Sequence, residues 1–142
     1  MHSEILTYEA DGLVMQSHYY VDTATSGPRS GVLVFPEAFG LSEHAKSRAE
    51  RLARLGYAAL ACDLHGNGTI HDALEVVLPL LEPMQNNPAL TRARANGGLQ
   101  ALLRTPEVDG SRVAAIGYCF GGTMSLELAR AGADIKGVVG FH

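Results

Sequence analysis

Apolar positions along the chain alternate between the short runs of strands and the three-to-four spacing of helices. Ile5 to Tyr8 and Leu13 to Tyr20 predict two strands joined at Asp11-Gly12, a dipeptide that favours a hairpin turn. Gly31 to Phe35 is continuously apolar, as expected of a strand covered on both faces. Ser42 is a candidate N-cap with Glu43 in the first turn; Ala45, Ala49, Leu52 and Ala53 follow helical spacing, and Gly56 sits where a terminating glycine belongs. Tyr57 to Cys62 predicts the next buried strand, followed by the loop Asp63 to Gly68. Thr69-x-x-Asp72 reads as a capping box opening a helical stripe of Ile70, Ala73, Leu74, Val77, Leu78 and Leu81, which Pro79 should kink or end. Asn87-Pro88 starts another helix that runs to about Thr105, weakened at Gly97-Gly98. Asp109-Gly110 turns the chain into an apolar run from Val113, then Met124, Leu128 and Ala129 mark a helix stopped at Gly132, and Ile135 to Phe141 is a last strand.

Two leading strands followed by alternating strand and helix predict an α/β fold, a mostly parallel sheet with helices on both faces. Ligands of such sheets bind beyond the C-terminal strand ends. Three predicted loops converge there: those carrying Glu37, Asp63 with His65, and Cys119. The 142 residues suit one domain, and a net charge of −4 gives no basic footprint for nucleic acid and no polybasic membrane anchor. The expected partner is a small molecule or another protein. No apolar run approaches the ~20 residues of a membrane helix, and Met1-His2-Ser3-Glu4 does not read as a signal peptide. Cys62 and Cys119 lie in neither C-x-x-C nor zinc-type spacing, and His65 with His71 matches no metal motif, so the expectation is a cytoplasmic protein with free thiols, no metal and no cofactor.

The chemistry concentrates at Gly117-Tyr118-Cys119-Phe120-Gly121-Gly122. A strand that meets Gly-x-Cys-x-Gly-Gly and gives way to a helix has the pattern of a nucleophile elbow, with the bend residue standing above the sheet edge. Most such elbows carry Ser; this one carries Cys119. A helix N-terminus offers donors and a favourable dipole to a thiolate, whereas Cys62, inside an apolar strand, reads as a small buried hydrophobe. Acyl transfer also needs donors for an oxyanion, expected from the backbone N–H groups of Phe120 and Ala38. Glu37 lies in the largely apolar stretch Phe35 to Gly40, where a carboxylate could hold or accept the thiol proton; its plainer reading is a solvated loop carboxylate. His65 and His71 read as turn or surface residues, and His142 is the last residue of the sequence.

Taken together, Phe35-Pro36-Glu37-Ala38-Phe39-Gly40, Gly56-Tyr57 leading into Cys62-Asp63-Leu64, and the Cys119 elbow resemble the dienelactone hydrolase family of α/β-hydrolases. The resemblance implies hydrolysis of an ester or lactone by a Cys–His–Asp triad, with Glu37 contacting the resting thiol and helping to activate it. It also implies that residues 1–142 are the N-terminal portion of a single α/β-hydrolase domain lacking its C-terminal strands and helices, with the triad Asp and His beyond residue 142. The expected consequence is an uncovered sheet edge through which the chain aggregates or self-associates. Family members hold a substrate carboxylate with arginines, but Arg92 and Arg94 read here as solvent-facing helix charges. The alternatives are a truncated non-catalytic binding or interaction domain, and a nucleotide-binding α/β domain. The last is disfavoured because the glycines do not form G-x-G-x-x-G and no Walker lysine follows.

Overall fold

A computed structural model describes residues 1–142. Six strands form one sheet: β1 (His2–Ala10), β2 (Leu13–Val21), β3 (Arg29–Phe35), β4 (Ala58–Ala61), β5 (Val108–Tyr118) and β6 (Val138–Phe141), in spatial order β1-β2-β4-β3-β5-β6. β1, β2 and β4 pair antiparallel in turn, while β4, β3, β5 and β6 are mutually parallel. Asp11 and Gly12 both adopt positive φ, which gives the β1–β2 hairpin its tight turn. The expected mostly parallel sheet with helices on both faces is present. It carries α1 (Glu43–Arg54), α2 (Leu74–Asn86), α3 (Pro88–Leu103) and α4 (Phe120–Arg130). None is long and apolar enough to cross a membrane.

Side-chain alternation along the strands divides the core in two. Val32, Val34, Ala59 and Ala61 face α1 through Ala45 and Ala49, whose small side chains let that helix lie close to the sheet. Leu33, Phe35, Leu60 and Ala115 face the other way, under Leu99 and Leu102 of α3 and Met124 and Leu128 of α4. Each large apolar side chain so buried contributes about 1.5–3 kcal/mol.

Four expectations are corrected. Thr69 and Asp72 do not cap a helix: Ile70 bridges to Gly40, and α2 begins only at Leu74 behind Ala73, with no side-chain cap. Pro79 does not end α2, which runs through both Pro79 and Pro83 because Val77, Leu81 and Met84 anchor one face in the core. Gly97 and Gly98 are not weak points but packing sites. A methyl group at Gly97 would stand 2.5 Å from Ala10 Cβ, and one at Gly98 2.9 Å from Cys62 Sγ. Asp109-Gly110 is not the entry to β5 but part of an excursion within it. The register moves from Ser30↔Asp109 to Gly31↔Val113, and Asp109 is tied to Ser111 and Arg112. The Asn87 cap stands as read, accepting from the Ala89 N–H at 3.2 Å, with Pro88 first in α3.

Arg94 is not the solvent-facing charge the sequence implied. It is mostly buried, donating from Nε to Asp11 Oδ2 at 3.0 Å and from a terminal nitrogen to the Leu64 carbonyl at 2.9 Å, so it ties α3 to the hairpin turn and to the loop after β4. Arg92 is half-exposed and pairs with Glu127 at 2.9 Å, joining α3 to α4.

Two substitutions test this packing by chemical denaturation. A methyl group at Gly117 would run into the backbone of Gly121, so Gly117→Ala is expected to cost more than about 3 kcal/mol or to prevent folding, since backbone cannot repack around it. Gly137→Ala, in open space, should stay within about 0.5 kcal/mol of wild type. Arg94→Met, which leaves the Asp11 carboxylate and Leu64 carbonyl without their donor, is expected to destabilise by about 3 kcal/mol.

Candidate active site

The end of β5 and the start of α4 share a single linking residue, Cys119, at φ 57° and ψ −115°. Such a conformation costs a non-glycine residue on the order of 1–3 kcal/mol and persists only where neighbours enforce it. Here the Cys119 N–H donates to the Phe141 carbonyl at 2.7 Å, and its own carbonyl accepts from Gly122 N–H at 2.9 Å. With both backbone groups engaged, the side chain projects, exposed, from the sheet's C-terminal edge. Gly121 packs against the carbonyls of Phe35 and Pro36, with no room for a Cβ, so the first turn of α4 lies directly beside the loop that follows β3.

That approach brings together the four residues singled out from the sequence. Cys119, Ala38 and Phe120 line one cleft of about 530 Å³; Cys119 and Glu37 line an adjoining one of about 200 Å³. Phe120 is the first residue of α4, so its N–H has no acceptor within the helix. The Ala38 N–H, outside any helix or strand, has none either. The larger cleft is walled by Leu74, Leu78 and Leu81 of α2, Leu126 of α4 and Phe141 of β6, with Gln85, Thr123 and His142 as its other polar side chains. No arginine or lysine enters it. The predicted stripe on α2 thus divides, Val77 and Leu81 going to the core while Leu74 and Leu78 stay exposed as cleft wall.

Glu37 departs from the resting arrangement that the resemblance implied. Its Oε1 lies 3.3 Å from His44 Nδ1, and no hydrogen bond joins it to the Cys119 thiol. His44 packs edge-on to Tyr118, ring centroids 4.7 Å apart, and its Nε2 accepts from Arg48 Nε at 3.3 Å. Burial raises the Tyr118 phenol above its ordinary range, against the pull of Arg48. Sequence reasoning missed His44 and Tyr118. The available signal was position alone: His44 is in the first turn of the helix following the Glu37 loop, and Tyr118 adjoins the elbow cysteine.

The other candidates are structural. His65, half-buried rather than on the surface, hydrogen-bonds from Nε2 to the Ala38 carbonyl at 2.7 Å, and burial lowers its affinity for a second proton. It packs edge-on to His71, with centroids 5.2 Å apart. Asp63 is buried and accepts from the N–H groups of Gln16, Gly66 and Gly68 at 3.0, 3.2 and 2.8 Å, which shapes the loop after β4. Cys62 is fully buried and unpaired, and burial raises its thiol well above the ordinary range, so it is a poor nucleophile. His142, whose setting the sequence left undefined, lines both clefts beside Cys119. No cluster of three His, Cys, Asp or Glu side chains has the geometry to hold a metal ion.

Comparison with known proteins bears on the fold and the family. A solved structure of a dienelactone hydrolase-like promiscuous phosphotriesterase from metagenomic libraries superposes with a TM-score of 0.96 at 48% identity, over 99% of this chain and 59% of that one. A Bradyrhizobium protein named "Probable 2-oxo-3-(5-oxofuran-2-ylidene)propanoate lactonase" is 29% identical over 87% of this chain and 50% of its own length. The dienelactone hydrolase of Anabaena variabilis shares the fold, with a TM-score of 0.71 at 19% identity over 98% of this chain and 62% of that one. The chain spans about half the length of the curated relatives it matches. A model of the dienelactone hydrolase family matches residues 17–142, and the chain accordingly belongs to that family.

Proposed function

We propose that this chain carries the nucleophile and oxyanion site of an ester or lactone hydrolase that works through an acyl-enzyme at Cys119. The observation that carries the reading is the strained, exposed Cys119 at a cleft that also holds two unengaged backbone donors, on Ala38 and Phe120. The thiolate attacks the carbonyl carbon, the carbonyl oxygen takes up negative charge against those two N–H groups, and the alcohol or ring oxygen leaves with a proton. Glu37 is the local carboxylate able to exchange a proton with the thiol; in a complete triad an imidazole is the base and then the acid, and a carboxylate orients it. An elbow cysteine without an imidazole partner should acylate and then deacylate slowly, because triad members act as a unit.

The lining of the cleft bears on the substrate. Leu74, Leu78, Leu81 and Phe141 offer apolar surface, and the arginines nearest in sequence to a substrate role are engaged elsewhere: Arg94 with Asp11 and Leu64, Arg92 with Glu127. The part of the acyl pocket built here therefore favours an uncharged apolar group over a carboxylate. The metagenomic relative's name is compatible with this preference, since phosphotriesters carry no ionised oxygen. A non-catalytic binding domain is the second reading, favoured by one observation: no imidazole hydrogen-bonds to Cys119.

Incubation with p-nitrophenyl esters tests both readings. The expected result is release of about one equivalent of nitrophenol per chain and an acyl adduct mapped to Cys119 by mass spectrometry, formed on the order of 100-fold faster than in the urea-unfolded chain, as the loss of oxyanion donors predicts. No adduct, or an equal rate in the unfolded chain, would leave the binding-domain reading. Within the ester series, acylation should rise about 10-fold or more from acetyl to hexanoyl, given roughly 0.8 kcal/mol per buried methylene, and fall for a succinyl half-ester. A faster succinyl ester would contradict the apolar assignment.

A further inference from the structure

The loop after β3 is closed by a hydrogen bond from the Gly40 N–H to the Glu37 carbonyl at 3.1 Å, which makes Ala38 and Phe39 the central residues of a turn. The loop after β4 lies against this turn at three points. The His71 N–H donates to the Phe39 carbonyl at 2.9 Å, Ile70 bridges to Gly40, and His65 Nε2 lies 2.7 Å from the Ala38 carbonyl oxygen. A carbonyl oxygen can only accept, so Nε2 carries the ring proton and donates it. The first two ties run between backbones and survive a change of side chain, whereas the third depends on what residue 65 is. A methyl group at Gly40 would stand 2.6 Å from the Thr69 carbonyl oxygen and 3.2 Å from His65 Cδ2, so glycine is what lets the two loops come this close.

His65 is itself held from both sides. The Leu64 carbonyl accepts from Arg94 at 2.9 Å, and the Asp63 carboxylate accepts from the N–H groups of Gly66 and Gly68. A donor on so fixed a backbone can set the orientation of the peptide it bonds. Of the four turn residues, Ala38 is the one that lines the larger cleft with Cys119 and Phe120. We propose that His65 is a positioning residue for the oxyanion site: by holding the Ala38 carbonyl it fixes the turn and keeps the Ala38 N–H in place at the Cys119 cleft. This role rests on Cys119 being the nucleophile and the Ala38 N–H an oxyanion donor. His65 lines neither cleft beside Cys119 and acts only through Ala38.

The test compares two reactions of Cys119 in the intact chain, each adduct mapped by peptide mass spectrometry. Acylation by p-nitrophenyl hexanoate passes through an oxyanion and draws on the backbone donors, whereas alkylation by iodoacetamide displaces iodide from a saturated carbon and needs none of them. In His65→Leu, which has no donor, the ratio of acylation rate to alkylation rate is expected to fall about 10-fold, less than the loss of a whole oxyanion donor because the Ala38 N–H is loosened and not removed. His65→Asn, whose amide nitrogen stands near the place of Nδ1 and falls short of Ala38, should lose as much, and it carries the same expectation if His65→Leu fails to fold. His65→Gln, whose amide nitrogen reaches the place of Nε2, should keep the wild-type ratio. A merely structural role would move both rates together. An unchanged ratio in His65→Leu and His65→Asn overturns the proposal, as does an equal loss in His65→Gln. If the wild-type chain forms no acyl adduct, the hydrolase reading falls and the positioning is read from the backbone order parameter of the Ala38 amide by NMR relaxation. That value is expected at about 0.85 in wild type and His65→Gln and below about 0.6 in His65→Asn. Equal values in all three overturn the positioning as well.

Discussion

A close approach between backbones organises the functional end of this molecule. The first turn of α4 lies against the ends of β3 and β5, with Gly121 on the carbonyls of Phe35 and Pro36 and Gly117 beneath Gly121. Any side chain at either position would push the helix off the strands. That displacement would separate Cys119 and the Phe120 N–H, which belong to the elbow, from Glu37 and the Ala38 N–H, which belong to the loop after β3. Two glycines thus decide whether four residues from distant parts of the sequence share a site at all. The strain at Cys119 follows from the same contact, because a chain that passes from strand to helix in one residue has few other conformations open to it.

Charge elsewhere is spent mostly on architecture. Asp63 gathers three backbone N–H groups, Arg94 spans α3, the hairpin and the loop after β4, and Glu127 accepts from both Arg92 and Arg130. Fixing these groups to structural partners keeps them away from the larger cleft, whose walls are then free to be apolar. The smaller cavity beside it is different in character, since a carboxylate, an imidazole, a phenol and a thiol face one another there. Apolar and ionisable side chains therefore occupy neighbouring but distinct surfaces around one sulfur atom.

How much of this was legible in the sequence depended on whether the signal was local. The buried strands, the Asn87-Pro88 helix start and the Cys119 elbow are each encoded within a few consecutive residues, and all were readable. Thr69-x-x-Asp72 misled because a capping pattern says nothing of tertiary pairing, and Ile70 is drawn into a bridge with Gly40. Pro79 misled because its local cost is outweighed by the burial of Val77, Leu81 and Met84. Gly97 and Gly98 looked like flaws in a helix only while Ala10 and Cys62, far off in sequence, were not known to press against them. The partnership of Glu37 with His44 was hidden for the same reason, as it depends on the angle at which α1 leaves its loop.

The two prolines of α2 have a consequence for what holds the apolar cleft in shape. Each removes an amide donor, so the carbonyls of Glu75 and Pro79 lack their usual partners within the helix. α2 packs chiefly on α3 and lies outside the sheet's hydrogen-bond network. A helix with missing rungs depends on its buried face, Val77, Leu81 and Met84, more than on its own backbone bonds. Leu74 and Leu78 ride on that helix. The wall facing Cys119 is thus carried by a helix that lacks two backbone rungs of its own, whereas the elbow and its neighbouring N–H groups are held by the sheet.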